Sequence, residues 1–212
     1  VSKALDFIKF SCFWIVAMLT LGVAKFVYGP WSRMWRRIYR RKYKDVKIDP
    51  PAPWDPSALI KFFRSCTWVR DKWYHIDAIA SPEKFFVTKQ GDCDEFAAFS
   101  GTVMTTRPGH IMSVTWYYPG GKKDKDGNIK WWGGHNIYLF REDNEWWHIG
   151  NCGKNGPYQD GTPRIVALDV VRKAGGMPLS YSRRTVDGLK YVDGGVLLTL
   201  EKSKECLRKS RK

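Results

Sequence analysis

The run Gly91-Asp92-Cys93-Asp94-Glu95-Phe96-Ala97 sets a thiol at the close of a Gly-Asp turn and at the opening of a helical pattern. The thiolate is the reactive form of cysteine, and the unpaired N–H groups of a first helical turn place partial positive charge beside the sulfur and lower its pKa. Two later segments offer complementary groups: Gly133-Gly134-His135-Asn136-Ile137-Tyr138-Leu139-Phe140, and Trp146-Trp147-His148-Ile149-Gly150-Asn151. Covalent catalysis by cysteine needs a base within reach and a third group that holds the base in one tautomer. In order, the chain supplies a thiol (Cys93), an imidazole (His135) and a carboxamide (Asn151). A lone cysteine ahead of a helix is more often a small buried residue; the set of three is what favours chemistry.

These residues need a helix and two strands to hold them. The nucleophile helix is expected from Cys93 to about Thr105. Strands are expected at Ile111 to Tyr118, near 134 to 141, near 145 to 150, and at Val196 to Leu200. In the second of these, Asn136 and Tyr138 alternate with Ile137 and Leu139. Asp55 and Pro56 open a helix to about Arg70, Ser81-Pro82-Glu83 opens another, and Pro163 to Ala174 a third. The polar loop Gly120 to Asn128 reads as a solvated hairpin tip. The class is α+β, helices packed on an antiparallel sheet.

Gly-Asp-Cys-Asp-Glu-Phe-Ala, then a Gly-His strand, then a Trp-rich strand ending in Asn resembles the transglutaminase-like branch of the papain-type fold, and most nearly the bacterial transglutaminase-like cysteine peptidases. The resemblance spans roughly residues 55 to 155. It implies a papain/transglutaminase-like core with Cys93 as nucleophile, His135 as base and Asn151 as orienting residue. Asp is the commoner third member in the wider superfamily; Asn can orient an imidazole but cannot offset its positive charge. Gln90 would stand as an oxyanion donor as a Gln upstream of the nucleophile does in papain-type enzymes, at a shorter spacing, while the backbone N–H of Cys93 is the preferred donor. In some relatives acidic residues beside the nucleophile bind calcium. Asp92, Asp94 and Glu95 match that cluster in type, although three carboxylates there read first as a solvated helix start.

The 212 residues suit one core domain with an appendage, and 43% hydrophobic content allows a substantial core. Of the 11 Trp, Trp116, Trp131, Trp132, Trp146 and Trp147 lie near the candidate site. Packed core is the first reading of these and an aromatic-walled groove the second. The net charge of +15 draws the protein to something anionic. Cys12, Cys66, Cys93, Cys152 and Cys206 are scattered without CxxC or metal-ligand spacing, which argues against zinc, indicates no disulfide scaffold and mildly favours a reducing compartment. No metal or other cofactor is expected. His75, His110 and His148 read as structural or exposed.

From Phe10 to Ala24 the chain is almost purely apolar, and Phe26 to Tyr28 extend it toward the about 20 residues that cross a bilayer as a helix. Ala-x-Ala spacing is missing, so a cleavable signal peptide is not indicated. Arg33, Arg36, Arg37, Arg40, Arg41 and Lys44 then follow helical spacing, with Trp31, Met34, Trp35, Ile38 and Lys42 on the opposite side. That pattern is expected to make an interfacial helix at an anionic membrane. The positive charge would hold this end in the cytoplasm, whereas some members of the resembled family work in the periplasm. An apolar helix buried in an assembly, with a basic helix on nucleic acid, is the alternative. No RRM, KH, zinc-finger or helix-turn-helix pattern supports nucleic acid as the main partner.

The expected organisation is residues 1–48 as a membrane or assembly anchor, 49–201 as a transglutaminase-like catalytic domain and 202–212 as a basic tail. The expected function is a membrane-associated cysteine hydrolase (peptidase or amidase) or acyltransferase acting on protein, peptide or peptidoglycan, with a cytoplasmic domain. The alternative is a weakly active or inactive structural component of a large assembly such as a virus or phage particle.

Overall fold

A computed structural model describes residues 2–48, 54–69, 81–124, 126–151, 153–158 and 161–199. The linker at 49–53, His75, Cys152, Cys206 and the tail at 202–212 lie outside the described residues. The chain opens with helix α1 (Ser2–Val23), which passes through a π-helical segment, Ala24–Tyr28, into α2 (Gly29–Lys42). This helix is long and apolar enough to cross a membrane.

Asp55 caps α3 (Pro56–Phe63) by accepting from the Ala58 N–H at 2.7 Å, and Pro56 supplies the fixed φ of a first helical residue. The helix stops short of the expected Arg70 because the chain turns out to pair. Thr67 N–H donates to the Lys89 carbonyl at 2.7 Å and Val69 N–H to the Gly91 carbonyl at 3.0 Å. Strand β1 (Thr67–Trp68) thereby runs parallel to β2 (Gln90–Gly91), which follows α4 (Pro82–Thr88). Helix α5 (Cys93–Val103) comes next.

Six strands form one antiparallel sheet: β3 (Gly109–Lys123), β4 (Ile129–Glu142), β5 (Glu145–Gly150), β6 (Gly153–Tyr158), β7 (Met177–Arg184) and β8 (Tyr191–Val196), in spatial order β6-β5-β4-β3-β7-β8. Asp143 and Asn144 turn the β4–β5 hairpin at φ 52° and 63°, a conformation these two residue types tolerate best among non-glycines. Strands β6 and β7 were not expected from the sequence, and β3 extends well past Tyr118 because Lys122 and Lys123 still pair with Lys130 and Ile129.

Alternation along β4 divides the core. On one face Tyr138, Phe140 and Ile149 pack with Phe63, Phe85, Phe96 and Phe99 from α3, α4 and α5. On the other face Ile137 and Leu139, with Met112 and Val114, pack under Val166, Ala167, Val170 and Val171 of α6 (Pro163–Ala174). Both faces of the central strands are apolar, as a sheet covered on both sides requires.

The N-terminal helices belong to this packed unit and are not a detached appendage. Ala17 of α1 is buried with Met177, Leu179 and Leu198, and Phe13 packs on Tyr117 at 4.9 Å between ring centres. Thr20 Oγ1 lies 2.9 Å from Ser180 Oγ, which lies 2.8 Å from Thr115 Oγ1. Thr115 shares its sheet face with Ile111, so α1 lies on the α5 side, over β7. From α2, Arg36 Nη1 donates to the Val186 carbonyl and, at 3.3 Å, to that of Asp187, while Arg33 Nη1 reaches the Leu189 carbonyl at 3.4 Å.

Candidate active site: the Cys93 helix start and the two sheet faces

Asp92 caps α5 in a reciprocal capping box. Its Oδ1 accepts from the Asp94 N–H at 2.9 Å, and Glu95 Oε2 folds back to accept from the Asp92 N–H at 3.0 Å. The preceding Gly91 makes this possible: a Cβ there would sit 2.6 Å from the Glu95 Cβ. Cys93 is thus the first helical residue, partly exposed, and its Sγ faces Asp94 Oδ1 at 3.8 Å. Asp94 is fully buried and accepts in turn from the side-chain amide of Asn136 on β4. Asn136 is 8% exposed, and its Oδ1 has no hydrogen-bond partner among the described residues.

His135 occupies the other parity of the same strand. It is level with Val114, and its ring packs where a Cβ on Gly150 would lie 3.1 Å from Nε2. That is the α6 side of the sheet. The expected Cys93–His135 relay is therefore not assembled across the α5 face: the β4 side chain presented to the helix start is Asn136. The physical reason is strand parity, since a shift of one residue moves a side chain to the opposite face. Burial pushes the His135 imidazole down to about 4 and keeps it neutral.

His148, read from the sequence as structural or exposed, is buried at 5% exposure beside His135 on that second face. Its Nδ1 lies 3.2 Å from the Tyr158 hydroxyl, which donates to Asp169 Oδ2 at 2.8 Å. Burial, with help from the charge of Lys173 and from His135, pushes His148 down to about 4. Burial opposes ionisation of Asp169, but hydrogen bonds from Arg172, Lys173 and Tyr158 prevail and bring its carboxyl down to about 2. Burial and the Asp169 carboxylate both push the Tyr158 hydroxyl up.

The remaining expected residues fall as follows. Asn151 is half-buried in the turn after β5; running the register on from Tyr138 opposite Ile149 places it level with Asn136, not with His135. Gln90 is exposed on β2, opposite Thr67. Of the basic set, Arg36 is buried at 3% exposure and Arg33 is half-buried, while Arg37, Arg40, Arg41 and Lys44 are exposed. The six therefore do not form one free cationic face, because two of them tie α2 to the loop between β7 and β8.

Ligand atoms of Asp92, Cys93 and Asp94 lie within 4.8 Å of one another. This group does not fit calcium. That ion takes six to eight oxygens, whereas Asp92 and Glu95 are engaged with backbone N–H groups of the cap, Asp94 is engaged with the Asn136 amide, and the third ligand atom is a soft sulfur.

Asn136 and the His148–Tyr158–Asp169 network were missed in the sequence. The alternation that pairs Asn136 with Tyr138 was visible; what was not visible is that Tyr138 faces α5. Comparison of the chain with known families and with characterised proteins finds no family model and no curated protein that matches it.

Proposed function

We propose that this chain is a membrane-associated thiol hydrolase or acyltransferase acting on an amide carbonyl in protein, peptide or peptidoglycan, with Cys93 as its nucleophile. The observation that carries the reading is the capped helix start: a partly exposed thiol at the first position of α5, 3.8 Å from a buried carboxylate that Asn136 holds in place. In this reading Cys93 Sγ adds to the carbonyl carbon and its proton passes to Asp94. The C–N bond breaks as that proton moves to the leaving amine, and water or a second amine then releases the acyl group from sulfur. The Cys93 backbone N–H, in the first turn of α5, is the oxyanion donor in this reading. Asp94 takes the place that the family resemblance gives to His135.

The second reading is a structural component of a large assembly that keeps a papain-type core without its chemistry. The placement of His135 on the α6 face favours it, since the imidazole most enzymes of this kind need is turned away from the thiol.

Acylation by a nitrophenyl ester separates the readings. The expected outcome is nitrophenolate release with an acylated Cys93 peptide by mass spectrometry, absent in Cys93→Ala. Asp94→Asn is expected to slow acylation about a hundredfold, while His135→Ala leaves it within about twofold. Loss of acylation in His135→Ala with no effect of Asp94→Asn would restore the imidazole as base. Acylation of Cys93 no faster than that of the exposed Cys12 would leave the structural component.

A further inference from the structure

Helix α1 is committed on one side and bare on the other. Ala17 and Thr20 bind it to β7, whereas Trp14, Ile15, Met18, Leu19, Val23, Phe26 and Val27 are each more than two-fifths exposed. The bare row does not end with the helix. Tyr117, against which Phe13 packs, is stacked on Trp131 at 6.1 Å and meets Trp132 at 5.0 Å. Both tryptophans are about half-exposed on the β3–β4 hairpin, beside the exposed Ile129. At the other end the outward side of α2 carries Pro30, Met34 and Ile38 flanked by Arg33, Arg37 and Arg41.

We infer that the β3–β4 tryptophan hairpin, the outer row of α1 and the arginine-flanked face of α2 form one seat on an anionic lipid bilayer, with α1 lying in the plane of the membrane. The inference rests on the membrane association proposed above and deepens it. Spanning would require α1 to leave β7 and abandon the packing of Ala17 and the Thr20–Ser180–Thr115 hydroxyl chain. An in-plane helix keeps both and buries only the bare side. Charge selects lipid as the occupant. No Asp or Glu occurs from Phe7 to Lys44, the exposed Arg37, Arg40 and Arg41 follow the apolar row, and the exposed Lys123 stands opposite Ile129 on the tryptophan hairpin. Half-exposed tryptophans next to lysines match the headgroup boundary, where an amphipathic ring has both its environments. From Trp14 to Arg41 the seat is on the order of 40 Å long at 1.5 Å per helical residue.

Flotation with phosphatidylcholine vesicles, with and without phosphatidylglycerol, tests this on the full chain. The expected result is binding that needs phosphatidylglycerol and is released by alkaline carbonate. The Trp131→Ser/Trp132→Ser protein is expected to bind about tenfold more weakly, with its circular dichroism and Cys93 acylation unchanged. Leu19→Gln, at the most exposed described leucine of α1, is expected to weaken binding in the same direction without touching the sheet. Carbonate-resistant binding would overturn the in-plane helix, and undiminished binding of the double variant would overturn the hairpin's part; either result leaves membrane association itself standing. No vesicle binding by the parent protein, or its self-association in place of binding, would remove membrane association as well, whatever the outcome at Cys93.

Discussion

The two faces of the sheet carry two polar clusters of opposite design. On the α5 face, Cys93, Asp94 and Asn136 gather at a helix start where Cys93 is partly exposed. On the α6 face, His135 and His148 sit with Tyr158 and Asp169 under a helix, and their imidazoles are held neutral. Among the described residues, the thiol thus stands on one side of the sheet and the imidazoles of His135 and His148 on the other. The contrast teaches that possession of the residue types for a relay is not possession of the relay. A strand of period two decides which member each face receives.

Acid should act on the second face first and hardest. Both imidazoles are depressed from an ordinary 6.5 to about 4, so the unfolded chain binds more protons between those values. Stability is therefore full above about pH 6.5, falls as pH drops toward 4 and loses no more from these groups below it. Each buried imidazole can account for at most ~3 kcal/mol of that loss. The charged neighbours of His148 are Lys173, which adds to its depression, and Asp169, which resists it. Urea unfolding across this range is expected to show the decline, and His135→Gln/His148→Gln to flatten it. A flat profile in the parent protein would show that the imidazoles are solvated and the second cluster is not a buried one.

A smaller effect is expected from the cap on the first face. Asp92→Ala removes the acceptor for the Asp94 N–H and, with it, half of the reciprocal box, at a cost of about 1 kcal/mol. The loosened first turn should also slow acylation of Cys93, while the acid profile of the second face keeps its shape. A change in that profile would mean that the clusters are coupled through β4.

Much of this architecture was legible in the chain. Asp55-Pro56, Ser81-Pro82 and Asp92-Cys93 each marked a helix start that the structure contains. Those signals are local: a capping side chain bonds a backbone group two or three residues away. The helix end at Phe63 was not legible, because it depends on Thr67 pairing with a strand more than twenty residues on. The site was half legible for the same reason. Cys93 announces itself by its own turn, but the face to which His135 points depends on which helix covers Tyr138 and which covers Ile137. A strand with apolar residues at both parities gives no local clue to that.

The smallest expected effect is also the sharpest probe of the separation. Gly150 ends β5 against the second cluster, where a methyl group would lie 3.1 Å from His135 Nε2 and 3.4 Å from Ile137 Cγ2. Gly150→Ala requires the ring to yield by a few tenths of an ångström, and overpacking so slight costs about 1 kcal/mol or less. The His135 ring resonances in NMR spectra are expected to move with the displaced imidazole. Acylation of Cys93 should not change, because the sheet lies between that ring and the thiol. A fall in acylation comparable to that of Asp94→Asn would tie His135 to the nucleophile after all and end the distinction between the faces.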